Sequence, residues 1–238
     1  MSPLLLSCEH GGNRVPARYA ALFRDAQGVL ASHRGWDPGA LDLARRLEKS
    51  LQAPLVFATV TRLLVELNRS PKHEALFSEF TRELPARERE RLLARHYRPY
   101  RERLSSFIAG TIQRAGRAVH VSLHTFTPVL NGVERRADVG LLYDPQRPAE
   151  VAFCTAWLAV LRARRPDLRL RRNYPYLGRS DGLTTHLRRR WPDEQYSGIE
   201  LEVNQRWPLG GGPEWPRLQE DLAASLEEAL DARPGGRA

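Results

Sequence analysis

The chain has 238 residues, a formal net charge of +9 at pH 7 and 42% apolar residues. That is enough for one sizeable α/β domain with its own core, and it excludes a disordered chain. Two cysteines, Cys8 and Cys154, exclude a disulfide scaffold, and no apolar run approaches the ~20 residues of a membrane span.

In chain order, the pattern predicts a first strand over Pro3–Ser7, stopped by Gly11 and Gly12. It lacks the charged and long apolar regions of a signal peptide, so the expected location is the reduced cytoplasm. A helix is predicted over Pro38–Leu51, with Asp37 at its N-cap and Pro38 as its first residue. Leu41, Ala44, Leu47 and Leu51 recur there at helical spacing. Leu55–Val60 reads as a strand, and Leu63–Leu67 as a second short one.

Pro85–Gln113 reads as a long charged helix broken near Pro99. Within it Arg87, Arg89, Arg91 and Arg95 alternate with Glu88 and Glu90. That mixture is a solvated face, so the net charge predicts no nucleic-acid partner. Strands follow at Ala118–Leu123, ending at His124, and at Val139–Tyr143. Glu150–Arg164 reads as a helix, Ile199–Val203 as a strand, and Trp215–Ala232 as a closing helix before a frayed tail, 233–238. Strands alternating with helices predict a single α/β domain over 1–238. Its mixed, mostly parallel sheet would be covered by helices on both faces, with chemistry at the carboxyl ends of the strands.

Four stretches put polar groups at such ends: Cys8–Asn13, Arg62 with Glu66–Arg69, Ser122–Thr125 and Glu200–Gln205. His10 and His124 both follow apolar runs, and neutral imidazole is a common zinc ligand. A third ligand is often a carboxylate, for which Glu9, Asp37, Glu200 and Glu202 are candidates. Arg69 carries the planar fork that binds a carboxylate bidentately. Glu200 and Glu202 lie two apart and face one side of a strand, so periodicity does not choose between them as a general base. Asn173, Tyr176 and Asp181 lie on a turn-rich stretch able to line a pocket.

The stretches SCEHGGNRVP, HRGWDPGALDLA, VTRLLVELNRS, SLHTF, NYPYLGRSDGLTTHLRR and GIELEVNQ together resemble the N-formylglutamate amidohydrolase family. The resemblance runs from Ser7 to about Gln205. It implies a fold like that of the zinc carboxypeptidases. It implies one zinc ion held by His10 and His124, and a substrate carboxylate held by Asn68 and Arg69, with Arg62 nearby. Glu202 or Glu200 is then the base, with the nearer relatives favouring Glu202. The carboxypeptidase pattern has a zinc glutamate three residues after the first histidine, where this chain has Asn13. Asp37 is the expected replacement. The implied reaction is hydrolysis of the amide bond of a small N-acyl amino acid, N-formyl-L-glutamate first. The alternatives are an amidase or peptidase acting on a modified or cell-wall peptide, and a non-catalytic binding protein. Oligomeric state is not legible.

Overall fold

The computed structural model describes residues 2–232. The expected frayed tail, 233–238, lies outside the described residues. The strands are β1 (Leu4–Cys8), β2 (Leu55–Phe57), β3 (Ala118–Phe126), β4 (Val129–Leu130), β5 (Val133–Glu134), β6 (Val139–Leu142), β7 (Leu170–Arg172) and β8 (Tyr196–Asn204). The helices are α1 (Gln27–Ala31), α2 (Ala40–Leu51), α3 (Ala86–Leu92), α4 (Arg98–Ala115), α5 (Pro148–Arg164), α6 (Leu183–Arg188), α7 (Arg206–Gly210) and α8 (Glu214–Asp231).

Six strands form the main sheet in the order β2-β1-β3-β8-β6-β7. β2, β1, β3 and β8 run parallel; β6 is antiparallel to β8 and parallel to β7. The mixed, mostly parallel α/β class is therefore as the sequence predicts. The central strands β3 and β8 are buried on both faces, apart from the half-buried Glu200. Apolar and polar residues alternate along both strands: Val121, Leu123, Ile199, Leu201 and Val203 enter one core, and the intervening His120, Ser122, His124 and Glu202 are buried as well. On one face Leu43, Leu47, Trp157, Leu218 and Leu222 from α2, α5 and α8 pack on the sheet. On the other, Tyr100, Leu104, Ile108, Leu183 and Leu187 from α4 and α6 do so.

Three expectations are corrected. β2 ends at Phe57, and Leu63–Leu67 is not a strand. That run is a turn whose Leu63, Leu64, Val65 and Leu67 side chains enter the second core. Its polar backbone is satisfied locally: the Leu63 N–H donates to Thr61 Oγ1, and the Glu66 N–H to the Leu76 carbonyl. An apolar run is the same signal whether a strand or a buried turn uses it. Pro99 does not break the long helix. α3 and α4 join through a π-helical turn, Leu93–Tyr97, directly before it. The wider turn suits a residue that lacks an N–H and crowds the preceding carbonyls.

The third correction concerns the start of α2, which lies at Ala40 and not Pro38. Gly39 precedes it at φ +83°, and a Cβ there would meet Pro208 Cβ at 2.4 Å. Gly39→Ala is therefore expected to cost about 1–3 kcal/mol from backbone strain alone, read as a lower midpoint in urea denaturation. The kink frees Asp37 from capping and turns its carboxylate toward the carboxyl ends of β1 and β3.

Candidate active site

The parallel strands bring their carboxyl ends to one edge of the molecule. His10 lies two residues beyond β1, His124 lies near the end of β3, and Glu202 sits beside it on β8 in the pairing register. The His10 loop presses on the chain following β2. A Cβ on Gly11 would meet the Ala58 carbonyl oxygen at 2.8 Å, so this approach requires glycine. Asp37 is anchored by its own N–H, which donates to the His10 carbonyl at 2.9 Å.

The side chains of His10, Asp37 and His124 are buried together. One ligand atom from each lies within 4.8 Å of the others, and this is the group among the described residues suited to a metal ion. Asp37 Oδ2 is 3.2 Å from His10 Nδ1 and 2.9 Å from His124 Nδ1. The other ring nitrogens face two more carboxylates. His10 Nε2 is 2.5 Å from Glu66 Oε1, and His124 Nε2 is 3.1 Å from Glu9 Oε2. Glu66 also binds Arg62, whose Nη1 reaches back to Asp37 Oδ1 at 3.2 Å. Asp37, His10, Glu66 and Arg62 thus close a ring of contacts.

Burial opposes charge on every member, and the partners overcome it. Burial raises the carboxyls of Glu9, Asp37 and Glu66, yet their histidine and arginine neighbours hold all three well below the usual carboxylate range. Burial disfavours the imidazolium of His124, yet hydrogen bonds to Asp37 and Glu9 push it well above its ordinary value. His10 is raised too: burial and Arg62 act against the charge, and Glu66 and Asp37 outweigh them. With neutral rings, three carboxylates and one guanidinium leave a buried charge near −2. One divalent cation balances it. Two imidazole nitrogens and a carboxylate oxygen are a common zinc donor set, so the residues fit such an ion.

Glu202 is different. Its Oε2 is buried without a hydrogen-bond partner. Burial raises its carboxyl, Asp37 and Glu200 add to the rise, and the group reaches about 8. Glu200 is half-buried, and its Oε1 accepts from Thr184 Oγ1 at 2.8 Å.

These groups line a cavity of about 230 Å³ whose walls include His33, Arg62, Asn68, Arg69, Tyr176 and Asp181. Arg69 donates through Nη1 to the Asp181 carbonyl at 2.5 Å. It makes no carboxylate ion pair among the described residues. Its backbone is pinned by Tyr97 and Arg101, which both donate to its carbonyl. Asn68 Oδ1 accepts from the Leu183 N–H at the start of α6. The half-exposed Tyr176 accepts from Arg135, and Asp181 Oδ2 accepts from the Ser70 N–H. Two sequence expectations shift. Asn173 is outside the cavity lining: its Oδ1 accepts from the Tyr143 and Gly178 N–H groups and braces the loop. Arg62 lines the cavity, but its guanidinium is committed to Asp37 and Glu66 rather than free for a ligand. Sequence reasoning gave no role to Glu66 and none to His33. The trace of Glu66 was its place in the polar stretch Glu66–Arg69, four residues after Arg62.

The N-formylglutamate amidohydrolase family matches residues 2–207. The chain belongs to that family. A crystal structure of a gene product from Agrobacterium tumefaciens is similar over 97% of this chain and 91% of its own, at 30% identity and a TM-score of 0.82. The N-formylglutamate amidohydrolase of Ralstonia eutropha JMP134 shares the fold over 97% of this chain and 93% of its own, at 20% identity and a TM-score of 0.73. No curated protein matches the sequence. Membership of this amidohydrolase family implies a small-molecule substrate. Among the described residues no helix is long and apolar enough to cross a membrane.

Proposed function

We propose that the chain is a zinc-dependent amidohydrolase that cleaves the amide bond of a small N-acyl amino acid, with N-formyl-L-glutamate as the first substrate to test. The observation that carries this is the buried His10–Asp37–His124 set on a polar cavity that also holds Arg69 and the unpartnered carboxyl of Glu202. Zinc held by those three residues would polarise the acyl oxygen and acidify a water. Glu202 takes the water's proton and passes it to the leaving amine. Glu200, already engaged by Thr184, shapes the wall beside it. Arg69 holds the substrate carboxylate, with Asn68, Tyr176 and Asp181 ordering the surrounding wall. The proposed setting is the cytoplasm, in keeping with a chain of only two cysteines, both buried.

The decisive assay sets zinc-loaded protein against N-formyl-L-glutamate, longer N-acyl amino acids and short peptides. Release of the free amino acid from the first two groups is the expected outcome. Cleavage of peptides alone would replace this substrate class, and no turnover of any would point to a binding protein. Arg69→Lys keeps the charge and loses the planar fork. It is expected to raise KM for an acidic substrate about 10-fold or more, the loss of one charged hydrogen bond, with zinc content unchanged. Equal kinetics in the Lys variant would remove Arg69 from the substrate contact.

A further inference from the structure

The two histidines of the set present the same ring nitrogen inward. Both Nδ1 atoms meet at Asp37 Oδ2; His10 Nε2 points away to Glu66, and His124 Nε2 to Glu9 and to the Ser122 hydroxyl that donates to Glu9. The pairing is crossed. Glu9 is the chain neighbour of His10, yet it faces His124; His10 is served by Glu66, 56 residues away. Each carboxylate is fixed in turn. Glu66 accepts from Arg62 Nε at 2.7 Å and from the Asn68 N–H at 2.9 Å. Glu9 accepts from Tyr100 OH at 2.6 Å and from Ser122 Oγ. Both glutamates are buried, where a charge persists only with such partners.

We infer that Glu66 and Glu9 are positioning residues that fix the tautomer of His10 and His124, so that each ring donates from Nε2 and offers its Nδ1 lone pair to the metal. This rests on the proposed metal-dependent reading. The physical reason is that a neutral imidazole carries one proton. A carboxylate on Nε2 claims that proton, orients the ring and makes Nδ1 a better ligand. Tyr100 is the outer support: it reaches from α4 to the Glu9 carboxylate, and through Glu9 it acts on His124.

The test measures zinc affinity by competition with a chromophoric chelator. Glu66→Gln and Glu9→Gln are nearly isosteric and are each expected to weaken zinc binding about 10–100-fold. Tyr100→Phe removes only the hydroxyl on Glu9 and should give a smaller loss in the same direction. Glu79→Gln removes a carboxylate from an exposed pair with Arg34 and should change nothing. Nitrogen-15 NMR of the zinc-loaded wild type, labelled at histidine, supplies a readout that needs no variant to fold. Protonated Nε2 and metal-bound Nδ1 at both rings are expected. Metal-bound Nε2 at either ring overturns the assignment. So do folded Gln variants that bind zinc as tightly as wild type. A wild-type protein that takes up no zinc overturns the metal reading itself, and this inference with it.

Discussion

Glu202→Gln is expected to lower turnover about 10²–10⁴-fold, the contribution of a positioned general base, while folding and zinc content stay at wild-type levels. The argument is local. Glu202 is buried, its Oε2 has no hydrogen-bond partner, and it pairs in register with His124. An unsatisfied buried carboxyl is costly and calls for a reason. Proton transfer to and from water beside the histidines supplies one. Its carboxyl is pushed to about 8 by burial, with Asp37 and Glu200 adding to the rise. The base must be ionised to act, and a divalent cation held by His10, Asp37 and His124 would favour that form. Gln keeps the size and removes the basicity, so the loss should fall on kcat. Glu200→Gln breaks no comparable arrangement, because Glu200 is half exposed and bonded to Thr184, and should lose far less. The comparison needs both variants side by side, with kcat and zinc stoichiometry for each. Should Glu200→Gln carry the larger loss, the base has been assigned to the wrong residue of the right strand.

The second large effect is at His124. His124→Ala is expected to take zinc from one ion per chain to none and turnover to background. It should also destabilise the protein by about 3–5 kcal/mol, the cost of removing one partner from a buried charged group. His124 contacts Asp37 through Nδ1 and Glu9 and Ser122 through Nε2. Its loss takes the imidazole partner from two buried carboxylates at once. Elemental analysis measures the zinc, and urea denaturation with and without a chelator measures the stability. Chelation of the wild type should reproduce the loss of activity without taking that partner away, so its effect on stability should be the smaller. A His124→Ala variant that retains zinc would place the ion elsewhere.

Much of this was legible without coordinates. The apolar runs ending at His10 and His124, and the helical spacing of Leu41, Ala44 and Leu47, dictate strands and an amphipathic helix through local periodicity alone. Alternation of the two element types dictates a covered, mostly parallel sheet. The position of chemistry at strand ends follows from that topology. The pairing of Glu200 and Glu202 on one face was equally plain, because side chains on a strand repeat every two residues.

Tertiary structure decided the rest. Periodicity could not separate Glu202 from Glu200, because both face one way; burial and an unmet hydrogen bond distinguish Glu202 and support its proposed role. Asp37 read both as a helix cap, the usual task of an aspartate before proline, and through the family resemblance as the third ligand, two tasks one carboxylate cannot share. The left-handed Gly39 moved the helix start and released that carboxylate to the histidines. Glu66 was visible only as an acidic residue in a polar stretch, and Glu9 only as one of several candidate ligands. Their partners lie 56 and 115 residues away in the chain, and the crossed pairing exists only once β1, β3 and the turn after β2 are packed together. Local sequence carries backbone preference and the pattern of burial. Which buried charges meet is a property of long-range packing, and in this protein those meetings form the candidate site.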